Sequence, residues 1–132
     1  MLFRSIDTAL GILYVPTGTA RYDFYGANRT GENLFADSLL ALDARSGKRL
    51  WHFQMIHHDL WDYDVPSQPS LIDLEIGGHS VPALVQPTKQ GELFVLDRRT
   101  GQPVFPVREV AAPQGAATGD HTAPTQPVSA IS

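Results

Sequence analysis

Apolar residues along this chain gather in short runs separated by turn-forming residues, with almost no helical spacing. Four runs stand out: "ILYVPTG", "SLLALDARSGKRLWHFQ", "SLIDLEIGGHSVPALV" and "GELFVLDRRTGQPVF". Short β-rich stretches broken by Gly, Pro, Asp and Ser read as pairs of strands around tight turns, so the pattern predicts an all-β meander. The turn centres are "ARSG", "IGG" and "RRTG", where Gly47, Gly77 or Gly78, and Gly101 can take the positive φ that hairpin turns demand. Two long segments fall between the hairpins. One, Thr19 to Asn33, is rich in Tyr, Asn and Gly; the other, Ile56 to Pro69, holds the octet "HHDLWDYD" from His57 to Asp64. The stretch Pro113 to Pro127 is Pro, Gly, Ala and Thr in open order and reads as loop or linker.

Two hairpins repeat one another. "ALDARSGKRLW" (Ala41–Trp51) and "VLDRRTGQPVF" (Val95–Phe105) share a small apolar residue, an Asp two positions on, Ser/Thr-Gly at the sixth and seventh positions and an aromatic at the eleventh. An Asp that caps the turn, a Gly that closes it and an aromatic that docks on a neighbouring sheet make one repeated β unit. The spacing from Ala41 to Val95 suits the blades of a β-propeller. Trp51 and Phe105 are the expected docking aromatics.

Composition narrows the chemistry. The chain has 132 residues, a net charge of -4 and no cysteine, which removes disulfides, thiolate metal sites and cysteine nucleophiles. Its ten Lys and Arg are scattered, which argues against a nucleic-acid surface. No stretch approaches the roughly 18 apolar residues of a membrane span, so any signal or anchor would lie outside this sequence. The octet does not fit familiar metal motifs. Adjacent His57 and His58 point to opposite faces of an extended chain, and Asp59, Asp62 and Asp64 lack the central Gly and closing Glu of a calcium loop. Taken alone it is a capped turn, its acids bonding backbone amides and Trp61 packing.

Three stretches in order change that reading: "WHFQMIHHDLWDYDVPSQPSLIDL", "PALVQPTKQGELFVLDRRTG" and "PQGAATGDHTAPTQP". They resemble the pyrroloquinoline quinone (PQQ)-dependent dehydrogenases, most closely the membrane-bound glucose dehydrogenase branch that also holds quinate dehydrogenases. The resemblance implies an eight-bladed propeller, of which residues 1–132 would be a fragment of about two blades. Strands would occupy about 10–108, with loop or linker over 109–132. It also implies that the isolated fragment binds no PQQ.

In that family the Asp after Trp in the "HDxWD" loop is the proposed general base, here Asp62. Oxidising a sugar's C1 hydroxyl to a lactone requires a proton to leave as hydride departs, and a positioned carboxylate can contribute ~10²–10⁴-fold. A basic residue of the next blade meets the quinone oxygens, here Lys89 in "PTKQG". Asp62 and Lys89 are thus the implied catalytic pair, and the two together with His58 the implied cofactor contacts. Related alcohol dehydrogenases carry Gly-Asn-Pro where this chain has "GTA", which makes Thr19, with Asp62, the implied ligand of a Ca²⁺ or Mg²⁺ ion. His57, Asp59 and Asp64 are expected to shape the loop.

The implied activity is oxidation of an aldose such as glucose, with electrons passing to ubiquinone at the periplasmic face of the bacterial inner membrane and the membrane anchor lying elsewhere. Quinate or shikimate oxidation is the alternative within the family. A non-catalytic propeller scaffold is the alternative outside it; a scaffold needs the repeated hairpin but has no use for Asp62 and Lys89 at family spacing.

Overall fold

The computed structural model describes residues 4–131 and contains nine β-strands and no helix among them. β1 (Ser5–Asp7), β2 (Ile12–Pro16), β3 (Ser38–Asp43) and β4 (Arg49–Gln54) form a four-stranded antiparallel meander in sequence order. β5 (Ser70–Ile76), β6 (His79–Pro87) and β7 (Leu93–Asp97) form a second, three-stranded meander. These are the two blade-like sheets that the repeat predicts. Of the four runs, "ILYVPTG" supplies the single strand β2 rather than a pair, and β1 precedes it.

The repeated units fold alike. Gly47 N donates to Asp43 O and Gly101 N to Asp97 O, each at 2.8 Å, while Asp43 N and Asp97 N close onto Lys48 O and Gln102 O, again at 2.8 Å. The Asp side chains cap these turns: Asp43 Oδ1 accepts from Ser46 N at 2.7 Å and Asp97 Oδ1 from Arg99 N at 2.8 Å. Gly47 and Gly101 have φ of 71° and 75°, the left-handed region that favours glycine. The second unit's hairpin is shorter: after β7 it makes a single bridge, Leu96 to Pro103, flanked by the bonds Asp97 N to Gln102 O and Val104 N to Val95 O, each at 2.8 Å.

The tail departs from expectation. Over 109–132 the sequence predicts loop or linker, yet β8 (Val107–Ala111) pairs antiparallel with β9 (Thr125–Ser129). Four of the five β8 side chains are exposed, so the strand lacks the alternation that would reveal it in sequence.

The core lies between the two meanders. Tyr14 and Leu39 from the first meet Leu84, Phe94 and Leu96 from the second, all fully buried. Trp51 on β4 docks across the gap. Its indole lies on Gly101, where an added Cβ would sit 2.6 Å from Trp51 Cε3, and its Nε1 donates to Arg98 O at 3.3 Å, the carbonyl that also accepts from Tyr14 Oη at 2.8 Å. Phe105, its counterpart in the repeat, is half-buried.

The Arg98 guanidinium completes the junction, donating to Asp7 Oδ2 at 2.7 Å and Ile72 O at 2.8 Å and pairing with Asp73 at 3.0 Å. Asp7 is held below the usual carboxylate range, chiefly because Leu10 N–H donates to it, with the Arg98 charge adding to the effect against the opposing pull of burial. Indole, phenol and guanidinium thus fix the two sheets against each other at one turn, and the loops between the sheets inherit that fixed geometry.

Candidate active site

The loop joining β4 to β5 carries the octet, and its shape is set by one buried acid. Asp59 is 1% exposed. It accepts from Trp61 N at 2.8 Å and Tyr63 N at 2.7 Å, folding the chain tightly enough that Asp62 between them has φ 58°. A left-handed non-glycine residue costs about 1–2 kcal/mol, so such a turn persists only where its surroundings enforce it. The surroundings here come from the β2–β3 loop: Thr19 Oγ1 donates to Asp59 Oδ2 at 2.5 Å, and Arg29 Nη2 to Asp59 O at 2.8 Å.

Held this way, Asp62 meets Lys89 from the turn between β6 and β7. Lys89 Nζ donates to Asp62 O at 2.6 Å and to Asp62 Oδ2 at 3.1 Å, and lies 3.7 Å from Asp64 Oδ2. The lysine ammonium is held above its ordinary pKa, first by the hydrogen bond to the Asp62 side chain and then by the charges of Asp62 and Asp64. Side-chain exposures of 38% for Lys89 and 35% for Asp62 leave the pair open to a ligand. The carboxylate and ammonium that the sequence places in two separate loops are therefore in contact, one beside each sheet.

Behind the pair lies a second group of acids. Asp64 Oδ1 accepts from Thr19 N at 2.8 Å and occupies the space that a side chain at Gly18 would need. Thr19 Oγ1 also reaches Asp37 Oδ1 at 3.2 Å. Asp37 is 1% exposed and its carboxyl is pushed up to about 7, mainly by burial and then by the charge of Asp59; its Oδ2 has no hydrogen-bond partner. Sequence reading missed Asp37, because "FADSLL" looks like an ordinary strand entry. Thr19 thus joins Asp37, Asp59 and Asp64, whereas Asp62 joins Lys89, so the two residues expected to share a cation belong to adjoining groups bridged by Asp64.

His58 is not brought to this pair. Its side chain is 1% exposed and its ring packs against His121 with centroids 4.0 Å apart, so it offers no surface to a cofactor at Asp62 and Lys89. The expectation of a cofactor contact at His58 is corrected on that ground. His57 bridges Glu32 and Glu109 at 3.2 and 3.1 Å, a loop-shaping role. Nor does the apolar cavity of about 230 Å³ between Ile56, Trp61, Tyr63 and Val128 include Asp62 or Lys89 in its walls. Asp62 and Lys89 sit instead on an open face.

Comparison with known proteins gives the family of the chain. The family model for the "Glucose/ethanol/alcohol dehydrogenase, beta-propeller domain" that carries the PQQ label matches residues 3–132. A quinoprotein glucose dehydrogenase of Gluconobacter oxydans is 51% identical over 132 residues, covering 98% of this chain and 16% of its own. A probable quinate dehydrogenase (quinone) of Xanthomonas campestris pv. juglandis is 45% identical over 128 residues, 95% of this chain and 16% of its own. Among solved structures, the quinohemoprotein alcohol dehydrogenase from Comamonas testosteroni superimposes with a TM-score of 0.73 at 29% identity, over 96% of this chain and 19% of its own. The chain therefore spans about 16% of the length of the curated relatives that it matches.

Proposed function

The chain belongs to the PQQ-dependent glucose/ethanol/alcohol dehydrogenase β-propeller family, and on that premise we propose that it forms part of a quinoprotein dehydrogenase oxidising an aldose such as glucose at C1 to the lactone. The observation that carries the reading is the 3.1 Å contact between Lys89 Nζ and Asp62 Oδ2, made on an exposed face by residues from two different loops. A non-catalytic scaffold would gain little from an ion pair this exposed.

In this reading Asp62 is the proton acceptor. Its carboxylate is presented on a rigid, left-handed turn, and it takes the proton of the substrate hydroxyl, a role that contributes ~10²–10⁴-fold. Lys89 supplies fixed positive charge where negative charge develops, which acts strongly because the charge is already in place. An ammonium has three N–H donors. Two are directed at Asp62 and the third faces Asp64 Oδ2 at 3.7 Å, beyond hydrogen-bond length, so it can turn to an oxygen of a quinone and the donor set fits the cofactor. When bound, PQQ supplies the two-electron oxidant that protein side chains lack.

A divalent cation belongs to the same reading. The all-oxygen set of Thr19, Asp59 and Asp37, with the unpartnered Asp37 Oδ2 among its donors, suits a hard ion such as Ca²⁺ or Mg²⁺, and Asp62 adjoins it through Asp64 and Lys89. Such an ion would supply positive charge to hold an anionic cofactor. We further propose that the electrons leave to ubiquinone and that the site faces the bacterial periplasm, with the membrane anchor in segments other than this one. The 45% identity to a probable quinate dehydrogenase favours quinate or another polyol as the second substrate reading.

Asp62→Asn in the complete enzyme tests the assignment. Turnover of glucose with an artificial electron acceptor should fall at least ~10²-fold while titrated PQQ still binds. Undiminished turnover would remove Asp62 as the base.

A further inference from the structure

His58, Asp120 and His121 stand apart from the catalytic pair, and their ligand atoms all lie within 4.8 Å of one another. They converge from the β4–β5 loop and the loop between β8 and β9, two segments remote from each other in sequence.

The tautomer of His58 is fixed by its neighbour. Its Nδ1 lies 2.8 Å from Gly31 O, and a carbonyl can only accept, so Nδ1 carries the hydrogen. A neutral ring then presents a bare lone pair at Nε2. That atom is buried, makes no hydrogen bond, and faces Asp120 Oδ1 at 3.5 Å. Asp120 is an acceptor as well. Its side chain is 1% exposed, and the N–H groups of Gly26 and His121 donate to it at 2.6 and 2.8 Å. Two acceptors pointing at each other in a buried site repel unless a cation lies between them.

A proton could serve, but it would leave the second imidazole unexplained. Ligands bonded at about 2.1 Å around a tetrahedral ion stand roughly 3.4 Å apart, close to the 3.5 Å already separating His58 Nε2 from Asp120 Oδ1. His121 is exposed, and its ligand atom already lies within 4.8 Å of the other two. Gly26 packs directly against Nε2, where a side chain would clash at 2.5 Å, so only a residue without a Cβ leaves that nitrogen uncovered. The arrangement in which a ligating His donates its other ring N–H to a backbone carbonyl is the usual support of a metal-bound imidazole. The Arg29 guanidinium near Gly26 opposes an added positive charge, and the ionised Asp120 offsets it.

We propose that His58, Asp120 and His121 bind a borderline transition-metal ion of the zinc class, distinct from the oxygen-ligated cation near Thr19, and that this ion pins the β8–β9 loop to the active-site loop. The inference does not depend on the dehydrogenase reading.

The test is a calorimetric titration with Zn²⁺ of the full chain, stripped with EDTA and then held in saturating Ca²⁺ so that oxygen sites are filled. One equivalent should bind with a Kd at or below about 10 μM, and Co²⁺ in its place should give the visible bands of a tetrahedral nitrogen–oxygen site. His121→Ala, at an exposed position that leaves the fold intact, should weaken Zn²⁺ binding at least tenfold, and Asp120→Asn further still. His79→Ala, an exposed histidine elsewhere, should leave it unchanged. Binding weaker than about 1 mM, or an equal effect of His121→Ala and His79→Ala, would overturn the proposal.

Discussion

Replacing Gly101 with Ala should destabilise the protein far more than the same change at Gly47, although the two glycines occupy the same turn. Both hold a left-handed φ, and forcing alanine there costs about 1–2 kcal/mol at either site. At Gly47 nothing lies within 4 Å of the new Cβ. At Gly101 the methyl would sit 2.6–2.7 Å from the Trp51 indole carbons, so the ring must shift out of a packed junction in which it also donates to Arg98 O. Overpacking of this kind adds about 1–3 kcal/mol. The expected ratio of unfolding constants, Gly101→Ala over Gly47→Ala, is thus roughly 5- to 150-fold in favour of unfolding. Urea unfolding of the two variants, followed by far-UV dichroism and by tryptophan emission, measures it. Equal midpoints, with unchanged emission in Gly101→Ala, would refute the claim that Trp51 holds the sheets together.

Two further outcomes follow from the sites described. Lys89→Ala should lower turnover by roughly 10²–10³-fold, the scale for losing one preorganised charge, and should alter PQQ affinity; steady-state kinetics with a PQQ titration checks both. Asp7→Asn should cost about 1–3 kcal/mol at neutral pH by removing one of the two carboxylates paired with the partly buried Arg98, and it should flatten the acid limb of stability. The folded-state pKa of Asp7 is lowered, so its contribution is present above the unfolded value and is lost as pH falls through the lower folded value; urea midpoints on acidification from neutral pH should therefore fall less steeply in the variant.

The blade-like hairpins were legible because their signals are local. Asp-x-x-Ser/Thr-Gly fixes a capped turn within one short stretch, and the adjacent Gly77 and Gly78, both at positive φ, fix the β5–β6 hairpin. β8 and β9 were not legible. Their register spans a long loop, β8 is mostly exposed, and Pro127 within β9 argues against a strand. Asp62 and Lys89 could be paired through family resemblance, since spacing alone cannot say that two loops meet. Asp37 and Asp120 gave no signal at all. Each acquires its character from neighbours remote in sequence: Asp37 from its burial and then from Asp59, Asp120 from the Gly26 N–H that bonds it.

The docking of Trp51 on Gly101 has a direction. An aromatic on one unit's last strand meets the following unit's turn, and the matching turn at Gly47 presents the same bare surface that Gly101 hides. Contacts of this head-to-tail sort repeat by a fixed rotation, and they end in a closed ring only when that rotation divides a full circle. The angle at which one indole lies against one glycine therefore sets how many such sheets can complete the circle.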